Sequence, residues 1–365
     1  MNIGIAGAGL IGRLMAWQLL RTGHQVTLFD RDNQAAELSA AKVAAAMIAP
    51  FSEVVNCERE IFDWGLQSLE LWPEWLQQLK QDTDVEVYFQ HLGSVVVAHR
   101  QDQSLLSHFN QLLRSRVADN MDQVEFLSAE RLGELEPDLA ERFSTGTYLK
   151  QEGCLDNWAL LNTLTKAIQA LGGMWHCGAE TTSIAPHTIT TANDEHRFDC
   201  VIDCRGFGAK KDLADFRGVR GEVLWVKAPE VKLQRPVRLM HPRYQLYIAP
   251  KPGDIYVIGA TEIESESLEP ITVRSSLELQ SALYSISTGF SEANILKAYA
   301  NCRPAFGNNL PRVDLQQGLL RINGLYRHGY LLSPLVVRSA LAALEGETSQ
   351  LFITPQLSTQ TGAVR

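Results

Sequence analysis

Several things are scarce in this chain, and each scarcity narrows what it can be. No CxxC pair occurs among its six cysteines, Cys57, Cys154, Cys177, Cys200, Cys204 and Cys302, so neither a zinc ribbon nor a dithiol redox motif is supported. Cys200 and Cys204 fall in a stretch that reads as one strand. At roughly 3.3 Å per residue they lie ~13 Å apart, too far for a disulfide or a shared metal. Buried free thiols in a reducing compartment are the expected state. No apolar run approaches the ~18 residues of a membrane span. The opening MNIGIAGAGLIG lacks a basic flank and is interrupted by Arg13. It is therefore not read as a secretory leader, and a cytoplasmic protein is expected. Basic charge is in deficit: 33 Lys+Arg against 42 Asp+Glu give a net charge of −9. That argues against a nucleic-acid partner. Like charges form no block, and there is no internal repeat or low-complexity stretch.

What is present describes a globular protein. Hydrophobic residues make up 45% and charged residues 21% of the 365 positions, a length that suggests two domains rather than one core. Residues 2–6 read as a short apolar strand. GAGLIG then opens a helix running through Gln18 and Leu20 with Gly23 as its stop, and QVTLFD (25–30) reads as a second buried strand. Strand, glycine turn, helix and strand make a βαβ unit. Within Gly7-Ala8-Gly9-Leu10-Ile11-Gly12, the first glycine permits the tight turn, the second lets backbone approach a pyrophosphate, and the third lets helix and strand pack closely. The helix start adds N–H groups and a positive dipole for phosphates. Asp30 ends the second strand, where a carboxylate binds ribose hydroxyls. An acid there selects FAD or NAD over NADP, although Arg31 follows directly. A site this early in the chain, with no second GxGxxG, favours FAD.

Downstream, SAAKVAAAMIAPFSE (39–53) has helical composition that Pro50 is expected to stop, and residues 58–80 read as an amphipathic helix interrupted at Pro73. Two strands are expected around His91-Leu92-Gly93, then helices at 102–117 and 128–135, the second capped by Ser128. A strand, a loop and a helix capped by Asp156 follow up to Gly172, and then a buried strand at 200–204. Residues 219–262 are β-rich, with Lys251-Pro252-Gly253-Asp254 suited to a type II hairpin turn. A helix is expected at 275–287, and a last one with Ser333 as N-cap and Pro334 at N1, ending near Gly346. The expected division is a nucleotide-binding domain from 1–84, 145–218 and 307–365, and a substrate domain from 85–144 and 219–306.

The GxGxxG, SAAKVAAAMIAPFSE, RGVRGEVLWV (217–226), LYIAPKPGDIYVIGATE (246–262), CRPAFGNNLPRV and GLYRHGYLLSP (324–334) occur in order along the chain. Nearly end to end, the sequence resembles the D-amino-acid oxidase-like FAD-dependent oxidoreductases, and within them the bacterial glycine oxidases. The resemblance implies an α/β fold: a Rossmann-type FAD-binding domain with a parallel sheet and an inserted, antiparallel-β-rich substrate domain. It implies noncovalent FAD and oxidation of the C–N bond of a small amine or amino acid by hydride transfer to flavin N5. The product is an imine and, with oxygen rather than another acceptor, hydrogen peroxide. Carried over by motif, Arg303 pairs with the substrate carboxylate and Tyr247 hydrogen-bonds the same end. Arg327, His328, Gly329, Tyr330, Leu331 and Leu332 lie along the flavin ring, with Ala45, Ala46 and Met47 on its other side. Thr181, Arg205 and Gly206 are further cofactor candidates.

These roles suit the chemistry. A guanidinium grips a carboxylate bidentately, a phenol adds a donor without charge, and backbone donors at a helix start stabilise charge on reduced flavin. Two flavoprotein alternatives stay open: a dehydrogenase or oxidase of a modified amine on a larger molecule, and a flavin-binding maturation protein without small-amine turnover. One position departs from the glycine-oxidase pattern: Glu262 stands where those enzymes have Met. A two-residue turn at Pro252-Gly253 would pair Tyr247 with Ile258 and Arg243 with Glu262. Glu262 is then either half of a cross-strand ion pair or an active-site carboxylate that attracts a second amino group and opposes a second carboxylate. On the latter reading the preferred substrate is not glycine.

Overall fold

The computed structural model describes residues 1–243 and 245–347; the expected nucleotide-domain residues 348–365 lie outside the described part. A six-stranded sheet runs in the order Arg312–Gln316, Leu319–Asn323, Cys200–Asp203, Asn2–Ala6, Gln25–Asp30, Met174–Cys177. Neighbours are parallel except for the hairpin Arg312–Gln316/Leu319–Asn323. The apolar first strand is central because both of its faces are covered. On one face pack the helices Leu10–Arg21, Arg59–Thr83, Asn157–Ala170 and Gly329–Leu344. On the other, Ile189 of a small three-stranded sheet packs with Phe29, Val201 and Leu319. The stop and cap signals read from Gly23, Ser128, Asp156 and Gly172 all sit at helix ends.

Three prolines behave differently from expectation. Pro50 does not stop a helix but starts one, at N1 of Pro50–Glu53, after the short helix Ala40–Val43 and the strand Met47–Ile48. Pro73 does not interrupt Arg59–Thr83: it lies on the exposed face, where water can serve the carbonyl its missing N–H leaves free. Pro334 is not at N1 of the last helix but inside it, because the helix begins at Gly329. The Tyr330 carbonyl, which would bond an N–H at position 334, instead accepts Nε1–H of buried Trp72 at 3.0 Å. A partner from another helix thus replaces the bond that proline removes.

An eight-stranded sheet forms the second layer, ordered Asn294–Phe306, Phe216–Lys227, Ile255–Gly259, Gln245–Lys251, Val237–Met240, Ser94–Ala98, Gly146–Leu149, Val124–Leu127. Its one parallel pairing joins Val237–Met240 to Ser94–Ala98. Gly146–Leu149, assigned from sequence to the nucleotide-binding part, pairs here with Ser94–Ala98 and Val124–Leu127. The central hairpin aligns Tyr247 with Gly259 and Ile248 with Ile258, one residue off the expected register. Asp254 joins Gly253 at positive φ (58° and 80°), so the loop has three residues, Pro252 to Asp254, rather than two. A one-residue slip reverses which side chains share a face, and Glu262 lies beyond the end of its strand. All six cysteines are free. Four are buried as expected, while Cys177 is exposed and Cys57 half-buried. Among the described residues no helix is long and apolar enough to cross a membrane.

Candidate active site

The two layers enclose a cavity of about 890 Å³ that runs from the glycine loop to Arg303 and Arg327. Gly7 has φ 92°, and a Cβ there would sit 2.5 Å from the Cys204 carbonyl. At Gly9 a Cβ would meet only Ser39 Oγ, at 3.4 Å, so this backbone lies open to a ligand. A Cβ on Gly12 would overlap the Gly7 carbonyl. Ala8, Leu10, Ile11, Asp30 and exposed Arg31 also line this end. The Asp30 carboxylate accepts the Ala8 N–H at 2.5 Å and the Asp32 N–H at 2.8 Å, which ties the loop to the end of the second strand. Sequence reasoning missed Arg13. It is buried and donates to the carbonyls of Ala8, Leu161 and Gln34, joining the glycine loop to the helix Asn157–Ala170. Burial pushes its pKa down to about 10, against the pull of Asp30.

Midway, Ala45, Ala46 and Met47 line one wall and Gly329 and Tyr330 another. Ala46 has φ 53°. Its loop is held from behind by buried Lys251, which donates to the Ala45 carbonyl at 2.8 Å and to that of Leu155. Asn157 Nδ2 reaches the carbonyls of Lys42 and Ala44 at 2.9 and 3.0 Å, and the Tyr330 hydroxyl donates to Ala41 at 2.8 Å. The last helix has His328 as N-cap, not Ser333, so its N-terminal N–H groups and dipole lie at the cavity-lining residues Gly329 and Tyr330. Leu331 and Leu332 do not line the cavity. They are core residues, Leu331 packing beside Gly65. Arg205 and Gly206 do line it, with the Arg205 side chain turned to Asp203 at 2.8 Å and Asp212 at 2.5 Å. Thr181 lies in the small outer sheet, away from the cavity.

At the far end the structure gathers Arg303, Arg327, Tyr247, Glu262 and His328. Arg303 stands on an edge strand opposite Val219, over Gly221. A Cβ on Gly221 would fall 2.6 Å from Nη2, so this glycine makes room for the guanidinium. Arg303 donates to the carbonyls of Thr261 at 3.1 Å and Arg220 at 3.4 Å. Among the described residues no carboxylate lies within 4.0 Å of it. Burial and the charge of Arg327 lower its pKa. Arg327, by contrast, is bracketed: Nε lies 2.8 Å from Glu53 Oε2 and Nη1 2.9 Å from Glu262 Oε2. Glu262 therefore pairs with Arg327, and accepts the Tyr326 hydroxyl at 2.7 Å, rather than pairing with Arg243.

Glu53 is the hub that sequence reasoning missed. Its Oε1 accepts the Tyr247 hydroxyl at 2.9 Å, and Oε2 lies 3.8 Å from His328 Nδ1. Burial alone would raise its pKa, but Arg327 first, then Arg238 and the Tyr247 bond, outweigh it and hold the carboxylate ionised. Burial pushes His328 down to about 4, with Glu53 opposing, so the imidazole is neutral near pH 7. The residue before the hub is clamped on both sides. Ser52 N–H donates to buried Glu152 at 2.6 Å, and its carbonyl accepts from buried Arg238. The available signal was an acid closing the small-residue segment 39–53, beside Pro50.

Known proteins share this arrangement of chain. The profile of the FAD dependent oxidoreductase (DAO) family matches residues 2–343. A Rhizobium etli protein described as a putative thiamine biosynthesis oxidoreductase, ThiO, is 34% identical over 356 residues, 98% of each chain. A crystal structure of glycine oxidase from Geobacillus kaustophilus superposes with a TM-score of 0.85 over 96% of this chain and 95% of that one, at 23% identity. Iminodiacetate oxidase from Chelativorans sp. BNC1 gives 0.82 over 96% and 97%, at 19% identity. A glycine cradle followed by an acid, matched from the first strand to the last helix, makes this chain a member of the FAD-dependent oxidoreductase family.

Proposed function

We propose that the protein oxidises the C–N bond of a small amino acid, with noncovalent FAD, in the manner of the glycine oxidase and ThiO proteins it is similar to. The observation that carries this reading is Arg303, a guanidinium facing the cavity with no carboxylate of its own among the described residues. A substrate carboxylate supplies the missing charge, and the planar fork fixes its orientation. The residues present fit the cofactor: open backbone at Gly9, the acid Asp30, and room in about 890 Å³ for more than a small substrate. The start of helix Leu10–Arg21 would hold the phosphates and Asp30 the ribose, and Ala45–Met47 with Gly329 and Tyr330 would hold the flavin ring. When bound, FAD supplies the hydride-accepting chemistry, with oxygen or another acceptor taking the electrons onward.

The protein groups bind and orient. Tyr247 gives its one proton to Glu53, which leaves its oxygen as an acceptor suited to the substrate amine rather than the carboxylate. Ionised Glu53 keeps Arg327 and Tyr247 in place. Neutral His328 adds no charge that would repel an ammonium. Free thiols suit a reducing, cytoplasmic setting. We keep a two-part division of the chain as part of this reading, with Gly146–Leu149 and residues 216–218 assigned to the substrate part because they pair within the eight-stranded sheet.

Anaerobic addition of glycine to the purified yellow protein should bleach the flavin. Arg303→Ala should abolish that bleaching while the cofactor stays bound. Wild-type rate and affinity in the variant would overturn the role of Arg303. Absence of bleaching of the wild type by glycine, sarcosine and D-amino acids would overturn the reading itself.

A further inference from the structure

We propose that Glu262 closes Arg327 to substrate and so restricts the site to amino acids carrying a single carboxylate. The inference rests on the amine-oxidising reading above and names its substrate class. Of the five arginines that line the cavity among the described residues, Arg303 and Arg327 lie together at the end with Tyr247 and Glu262, and they are treated differently. Arg303 is met only by the carbonyls of Arg220 and Thr261. Arg327 is met by two carboxylates, Glu53 at 2.8 Å and Glu262 at 2.9 Å. The short segment after strand Ile255–Gly259 makes both arrangements: the Thr261 carbonyl holds Arg303 and the next residue occupies Arg327.

Charge at this end follows from those contacts. Arg303 and Arg327 are balanced by Glu53 and Glu262, which leaves a neutral site for a zwitterion with one carboxylate and one ammonium. A second carboxylate would find Arg327 already occupied and, to reach it, would have to displace Glu262. That displacement is resisted by Tyr326, whose hydroxyl donates to Glu262 at 2.7 Å from a backbone held at φ 50°. A bulky residue in the left-handed region costs free energy, and such strain persists where surrounding contacts over-determine it. Glu262 itself is about half exposed, with 48% of its side chain accessible. The core therefore does not need it, and as a surface ion pair alone it would contribute little.

The test compares wild type, Glu262→Gln and Glu262→Met by anaerobic flavin bleaching with glycine and with iminodiacetate, the same amine bearing a second carboxymethyl group. Flavin retention and thermal midpoint show that the variants are folded. The ratio of kcat/KM for iminodiacetate over glycine should rise by about tenfold or more in both variants, which corresponds to ~1.4 kcal/mol. An unchanged ratio, or a wild type that already oxidises iminodiacetate as well as glycine, overturns this inference and leaves the amine-oxidising reading intact. A wild type bleached by neither overturns this inference, and the amine-oxidising reading falls with it only if sarcosine and D-amino acids also fail to bleach the flavin.

Discussion

Replacing Gly221 with alanine should disarm the site and leave the fold standing. A Cβ on Gly221 lies 2.6 Å from Arg303 Nη2 and 2.7 Å from Cζ and Nη1. Non-bonded heavy atoms settle at about 3.5–4.0 Å, so the guanidinium must move by about 1 Å. Its bonds to the Thr261 carbonyl at 3.1 Å and the Arg220 carbonyl at 3.4 Å cannot both survive that shift. The atoms in the way are the tip of a flexible side chain, not backbone, and Gly221 is not among the residues at positive φ. Alanine therefore meets flexible side-chain atoms first, and its smaller unfolded-state freedom contributes roughly 0.4–1 kcal/mol in favour of the fold. Misplacing a positioning group by about 1 Å costs on the order of 10²-fold in rate. Stopped-flow bleaching by glycine should show kcat/KM down by about 100-fold, with the flavin spectrum kept and Tm unchanged or slightly raised. Wild-type rate and affinity would refute the claim that the position of Arg303 governs substrate capture. A Tm several degrees lower with loss of flavin would refute the claim that the strain ends at the side-chain tip.

Trp72→Phe keeps the ring in its buried place but strips the donor from the Tyr330 carbonyl. It should cost about 1–3 kcal/mol in denaturant unfolding, and an unshifted midpoint would refute the proline-rescue account. Stability against pH should reflect two buried groups of opposite sign. His328 sits at about 4, below its ordinary 6.5, so it removes stability as pH falls through that window. Glu152 is raised by burial from 4.5 to about 7 despite its Ser94 and Ser52 donors, so it removes stability as pH rises through that one. The two offset each other where the windows overlap, and Glu152→Gln should expose the His328 slope. That slope, at most ~1.4 kcal/mol per pH unit, appears as stability lost on acidification below pH ~6.5. Parallel curves for wild type and variant would dismiss this role for Glu152.

What could be read from the sequence was what local chemistry decides. The glycine cradle and its acid are contained within one βαβ unit, and caps such as Ser128 and Asp156 act within three residues of themselves. Distant partners decided the rest. Ser333-Pro334 has the form of a helix start, but Trp72 from another helix lets the proline sit inside. The hairpin register turned on one residue, Asp254, taking the left-handed conformation. Glu53 escaped notice because its partners Tyr247 and Arg327 are 194 and 274 residues away in sequence. The local signal, an acid closing the small-residue segment 39–53, does not name those partners. Glu262 was flagged by its departure from the glycine-oxidase pattern, but its partner was misjudged with the register.

The order of the six-stranded sheet has a consequence for how the protein is made. Strand Asn2–Ala6 lies beside Cys200–Asp203, which lies beside Leu319–Asn323, and the wall opposite the glycine cradle is built by Gly329 and Tyr330. A ribosome releases the cradle first and this wall last. At ~5–20 residues per second, the interval is on the order of 20–60 s. Until Cys200–Asp203 is released the strand before the Gly7–Gly12 loop lacks that neighbour, and until Gly329 and Tyr330 follow there is no closed pocket to fill. Capture of flavin is therefore a late event in synthesis, and nascent fragments that end before the last strands and helix should not retain it.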